Sequence, residues 1–123
     1  MMLKEKKQEK SIETVIGKEA VIEGDLTLST SVRIDGKITG NIHSKGDVYI
    51  GKSGVCGPKI TAKRVIVSGE VSGDITSSNH VYIKTKGKVS GTVISKGIVI
   101  EEGGIFNGHS RIEGNDPKHK ESS

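Results

Sequence analysis

The residues of this chain with the most chemical capacity are four histidines, His43, His80, His109 and His119, and a single cysteine, Cys56. Zinc and other transition-metal sites draw on imidazole and thiolate at short fixed steps, such as C-x2–4-C or H-x3–5-H. No two of these five residues keep such a step. Cys56 follows Val55 in an alternating stretch and is expected to face outward. A reactive thiol would need a partner that lowers its pKa, and the neighbouring sequence offers none. The chain has no nucleophile elbow and no GxxxxGK[ST] loop, so its many glycines do not read as a phosphate cradle. The expectation is therefore no catalytic residues, no metal and no cofactor. The chain does not read as an enzyme.

What the rest of the chain builds is stated by its composition. It has 123 residues, enough for one domain with tails, and only 32% are hydrophobic. Within that fraction stand 16 Ile and 12 Val against 3 Leu, with one Phe, two Tyr and no Trp. β-Branched side chains are stiff at χ1 and fit a pleated surface, so the inventory forms strands and offers little for a helical core. The lone cysteine rules out an internal disulfide framework and suits a reducing cytosol. No apolar run is long enough for a membrane span or a signal peptide, which makes a cytoplasmic protein the expectation.

Residues 71 to 83, VSGDITSSNHVYI, nearly repeat residues 38 to 50, ITGNIHSKGDVYI. An aliphatic-x-Gly-x-aliphatic unit recurs around Gly24, Gly40, Gly73 and Gly91, with variants at Gly57 and Gly108; the steps are 16, 17, 16, 18 and 17 residues. A second ladder keeps the same step through Val32/Ile34, Val48/Ile50, Val65/Val67, Val81/Ile83 and Ile98/Ile100. A third runs through Leu26, Ile42, Ile60, Ile75 and Val93. Apolar and polar residues alternate inside each unit, as in a strand with one buried face. A short fixed period of this kind marks a solenoid.

The pattern predicts an all-β fold, a parallel β-helix of about six 16–18-residue coils with a triangular cross-section and disordered tails. Six coils at the inter-strand spacing give a rod roughly 25–30 Å long. The coil lengths do not hold to three equal hexapeptides, so a right-handed helix is expected. Ser44, Ala62, Ser77 and Ser95 follow the third ladder by two positions, where the cross-section should tighten. Tyr49 and Tyr82 lie between inward neighbours and should point out. VCGPKI departs from the repeat, and Pro58 there predicts a bulge. Stacking could carry His43 and His80 to one station two coils apart, with Thr61 or Lys63 between them, which are poor metal ligands.

Boundaries fall at 1–13, an N-terminal tail; 14–114, the β-helical domain; and 115–123, a C-terminal tail. A β-helix has two ends with unpaired strand edges, and solenoids that stay monomeric need polar caps. No capping helix is visible before Ile12 or after Ile112. Open ends predict stacking, with Phe106, Ile105 and Ile112 at one end and Val15, Ile16, Val21 and Ile22 at the other. The start Met1-Met2-Leu3-Lys4, followed by Lys6 and Lys7, could act as a membrane-targeting peptide. Apolar side chains would enter the interface and lysines would meet anionic headgroups. One such tail is weak, but a polymer displaying many gains by effective concentration.

The string IDGKITGNI, the VSGDI and VYIG steps and the terminal GGIFNG resemble the bactofilins, bacterial cytoskeletal proteins, over roughly residues 14–112. The resemblance implies a right-handed β-helical core that polymerises end to end without nucleotide. It implies membrane-associated filaments at the inner face of the cytoplasmic membrane, serving as scaffolds that localise cell-wall-modifying or morphogenetic client proteins. It also assigns the subunit contact to the last coil's aromatic, here Phe106. Two rivals stand beside it. A hexapeptide-type acyltransferase would need a sustained six-residue period, and Ile22, Leu28 and Ile34 lose it at Gly40. A monomeric or trimeric β-helix could bind a carbohydrate or protein along one face, with Tyr49, Ile66 and Tyr82 as its stripe. Net charge is +4 without a clustered basic run or stacking aromatics, which argues against nucleic acid.

Overall fold

In the computed structural model, which describes residues 14–113, every regular element is a short strand and all pairings are parallel. The chain winds as a solenoid with three faces and six rungs on each. One face is a six-stranded sheet: β1 (Thr14–Ile16), β4 (Val32–Ile34), β6 (Asp47–Ile50), β8 (Arg64–Val67), β11 (His80–Ile83) and β13 (Gly97–Ile100). The other two faces are the halves of one bent sheet. Its long strands β5 (Lys37–Ser44), β7 (Val55–Ala62), β12 (Lys88–Ser95) and β14 (Ile105–Ile112) run through the bend. Elsewhere the two halves are separate strands, β2 (Val21–Glu23) then β3 (Leu26–Leu28), and β9 (Glu70–Ser72) then β10 (Asp74–Ser77).

The bend falls on a column of glycines. Gly24, Gly40, Gly73, Gly91 and Gly108 all have positive φ, a conformation that side chains disfavour. The column also packs too closely for a Cβ. One added at Gly91 would stand 1.9 Å from the carbonyl oxygen of Gly73 in the coil below.

The aliphatic ladders line the interior as their spacing predicts. Val32, Val48, Val65 and Val81 stack in register, as do Ile42, Ile60, Ile75 and Val93, and all of them are buried. Ser44, Ala62, Ser77 and Ser95 also point inward and are buried. The serines close the corner that follows them. Ser44 Oγ donates to Thr30 O and accepts from Gly46 N, and Ser77 Oγ donates to Lys63 O and accepts from Asn79 N.

The third coil corrects the sequence reading. Pro58, not Gly57, pairs with Gly40, and β5 pairs with β7 without a break from Lys37↔Val55 to His43↔Thr61. There is no bulge. At the bend the step is 18 residues from Gly40 to Pro58 and 15 from Pro58 to Gly73, rather than the 17 and 16 counted through Gly57, and it matches the Ile42, Ile60, Ile75 ladder. The extra residues leave the strands altogether and enter the corner after the six-stranded face. Residues 17–20, 51–54, 84–87 and 101–104 form four-residue turns there, each closed by an N–H···O bond of 2.8–3.0 Å from its last to its first residue. In the second and fourth coils that corner is only two residues, 35–36 and 68–69.

Candidate assembly surfaces

A solenoid presents two kinds of surface, its ends and its faces, and both follow from the ladder register. At the N-terminal end, β1, β2 and β3 each have a partner on one side only, β4 for the first and β5 for the other two. At the other end β13 pairs only with β11, and β14 only with β12. Each end therefore offers a rim of strand N–H and C=O groups with no rung beyond it among the described residues, a template for further strands.

The interior is laid bare at the same places. Interior isoleucines such as Ile34, Ile60 and Ile83 are fully buried, whereas Ile100 and Ile112, in the last rung, are 47% and 45% exposed. Phe106 is the last member of an inward column, set against Val89, and is partly buried with Ile98 beside the core. At the opposite end Ile22, Leu26 and Leu28 are partly buried, while Ile16 is nearly covered.

The residues expected at the ends thus divide in two. Ile16, Ile22, Phe106 and Ile112 belong to inward columns and close the two ends of the core. Val15, Val21 and Ile105 are exposed but point sideways: Val15 pairs with Arg33, Val21 with Lys37 and Ile105 with Lys88, all outward positions. Sequence reasoning missed Ile100, Ile98, Leu26 and Leu28. Their signal was present, because they are simply the first and last members of the ladders. Met1, Met2, Leu3, Lys4, Lys6 and Lys7 lie outside the described residues, as do His119 and both tails.

Cys56 overturns its expectation. It stacks between Ile38 and Val71, is 2% exposed and belongs to the core, and Val55 is the residue that faces out. Burial disfavours the thiolate and pushes the pKa up to about 12, so this thiol is inert packing rather than a nucleophile. His43 and His80 do not share a station either. His43 pairs with Thr61 on the bent sheet, whereas His80 stands on the six-stranded face with its ring 6.2 Å from that of Tyr82. Among the described residues no three His, Cys, Asp or Glu side chains converge as a metal site, and no helix is long and apolar enough to cross a membrane.

One corner carries charge. Lys45, Lys63 and Lys96 each follow an inward small residue and rim an open groove of about 1080 Å³ with His43, Thr61 and Thr76. None of the three lysines has an acidic partner among the described residues. This cluster was invisible in the sequence, where its members are 18 and 33 positions apart.

Among the described residues this is a parallel solenoid with an aliphatic core open at both ends and no cap, the frame of a self-assembling structural protein. Residues 14–111 match the family model described as bactofilin, polymer-forming cytoskeletal. The chain belongs to the bactofilin family of polymer-forming cytoskeletal proteins. Its fold is also that of a Thermus thermophilus bactofilin solved by cryo-EM as double helical filaments. The TM-score is 0.70 at 23% identity, over 82% of this chain and 100% of that one. No curated protein matches the sequence.

Proposed function

We propose that this protein stacks end to end, without nucleotide, into filaments that lie on the inner face of the cytoplasmic membrane and position cell-wall or morphogenesis factors. The observation that carries the stacking is the exposure of core isoleucines at the final rung. Ile100 and Ile112 would be covered by a further rung, as Ile83 is covered by its neighbours. Completing the burial of a half-exposed isoleucine contributes about 1 kcal/mol, and each strand hydrogen bond gained adds about 0.5–1.5 kcal/mol. Three faces joined at once give a contact of useful strength from the chain's own residues, with no nucleotide needed to complete it. The described ends hold no helix or loop that would have to be displaced first. Membrane attachment rests on Met1-Met2-Leu3 and the following lysines, and the scaffold role rests on the family.

The test is electron microscopy of the purified protein without nucleotide or metal, beside Phe106→Arg and Ile100→Arg. Filaments from the parent and discrete particles from both variants are expected, because a buried unpaired guanidinium at the joint is strongly unfavourable. Discrete particles from the parent would overturn the stacking reading. Co-sedimentation with anionic vesicles, with and without residues 1–13, tests the anchor separately. Undiminished binding after that deletion would remove the tail from the proposal.

A further inference from the structure

We propose that the outward column of the six-stranded face is the seam along which two filaments of this protein pair side by side. The inference rests on the filament reading above and names the surface that the lateral contact uses. The ladder pairings set Val15, Arg33, Tyr49, Ile66, Tyr82 and Val99 one above another along this face, all pointing outward. Ile66 lies between the two tyrosines, and the column is partly or fully exposed throughout. The other faces have no such run. The column through Lys37, Val55, Glu70 and Lys88 is interrupted by charge, and that through Asn41, Lys59, Asp74 and Thr92 is polar.

The stripe's own strands carry no unpaired charge, which admits a like surface as its occupant. Arg33 Nε is 3.0 Å from Asp35 Oδ2, Arg64 Nη2 is 3.0 Å from Asp47 Oδ2, and Lys84 Nζ is 3.0 Å from Glu101 Oε2. The two cations on the strands of the face, Arg33 and Arg64, each have their own acid, while the lysines of the flanking corners, Lys84 excepted, have none among the described residues. The stripe itself is therefore neutral along the line where a second copy would lie, and its contact is apolar and aromatic. Lys18 and Lys52 sit on the turns at the edge of the face. There they border, with Tyr49 and Ile66, a recess of about 520 Å³ that a partner side chain could fill.

Size and continuity complete the choice. A stripe one side chain wide on one domain falls well below the roughly 1,200 Å² of a stable interface. It gains strength only by repetition along a rod, where each further contact is effectively intramolecular. Val15 and Val99 are exposed at its two ends, 61% and 46%, so a joint that keeps the strands in register extends the stripe from one subunit to the next. Only a second filament with the same subunit repeat matches it along its length. The similar Thermus protein, solved as double helical filaments, shows that this fold supports paired strands.

The experiment images the full-length parent, Ile66→Glu, and Thr76→Glu on the bent sheet as a control. Paired strands are expected for the parent and for Thr76→Glu, with single strands of unchanged subunit repeat for Ile66→Glu. A crosslinking arm covers misfolding of Ile66→Glu. Because Cys56 is buried, an Ile66→Cys variant presents one accessible thiol. A short bis-maleimide should convert it to dimers when filaments are present, and the yield should be lost when Phe106→Arg blocks the ends. Thr76→Cys should give no dimers. Paired strands in Ile66→Glu, or equal crosslinking at positions 66 and 76, would overturn the seam. So would parent filaments that are always single, which would leave the stacking reading intact. If Ile66→Glu stays paired but loses binding to anionic vesicles, the stripe meets lipid instead. A parent that forms no filaments at all removes both readings.

Discussion

Replacing one glycine of the bend column separates two costs that the solenoid imposes. Gly24 and Gly91 have similar φ, 128° and 137°, so alanine at either is strained by roughly 1–3 kcal/mol. Their surroundings differ. A Cβ at Gly24, in the first rung, meets nothing within 4 Å, whereas at Gly91 it would stand 1.9 Å from Gly73 O and 2.6 Å from Gly73 C. Restoring a tolerable contact needs the two coils to part locally by about 1 Å against a normal spacing of about 4.8 Å. That movement stretches the 2.8 Å bond from Gly73 N to Ser90 O, and a backbone bond lost in this way costs about 1–3 kcal/mol. Gly91→Ala should therefore cost about 2–6 kcal/mol in total, a large share of a usual 5–15 kcal/mol stability.

The assay is thermal unfolding by far-ultraviolet circular dichroism in a Phe106→Arg background, because assembly would add its own stabilisation. For a domain near this size 1 kcal/mol moves Tm by about 4–8 °C. Gly24→Ala should lower Tm by about 4–24 °C, and Gly91→Ala should lower it by about 4–24 °C more. Equal shifts would refute the reasoning. They would mean that the approach of carbonyl to Cα between coils carries no energetic constraint and that backbone conformation alone selects glycine.

Two further outcomes follow from single residues. Cys56 should resist thiol reagents in the folded protein and react on unfolding, read by comparing dithionitrobenzoate kinetics with and without denaturant. The unfolded thiol ionises near 9.0 and the folded one near 12, so the unfolded state loses its proton first as pH rises. This residue's contribution to stability is then constant below pH 9 and falls between 9 and 12. A Cys56→Val variant should lack that slope. Lys86 has φ 77° at the third position of the 84–87 turn, the one described non-glycine residue with positive φ. Lys86→Gly should stabilise the domain by about 0.5–1 kcal/mol, measured by urea denaturation, since the relief of roughly 1–2 kcal/mol is partly offset by the freer unfolded chain.

The ladders were legible because strict alternation and a near-constant step leave only one way to stack Val48/Ile50 on Val65/Val67. The third coil was not, and the reason is local. In VCGPKI the glycine looks like the bend residue of every other coil, and Val55 and Cys56 are both small and apolar, so alternation cannot choose between them. Placing Gly57 at the bend slips the pairing by one residue. Because side chains alternate with period 2, that slip turns Cys56 outward and Val55 inward. Nothing in the sequence announces that Pro58 occupies the bend. Only the unbroken pairing with β5 on one side and β9 and β10 on the other fixes it.

The slip stayed within one coil because the corners, not the strands, absorb changes in length. Along the six-stranded face Val32, Val48, Val65, Val81 and Ile98 keep steps of 16 or 17 residues. The bent sheet takes steps from 15 to 18, since the 51–54 and 84–87 turns lengthen just before it. An inserted residue therefore leaves the inward columns aligned, and the last members of those columns, Ile100, Phe106 and Ile112, remain the end of the core whatever the turns do. This is why the end surface could be located, in part, from spacing alone. The lateral stripe asks more, because it exists only when Tyr49, Ile66 and Tyr82 fall on one outward line. The near-constant step of this face makes that alignment possible, and the variable step of the bent sheet does not prevent it, since the two share no outward column.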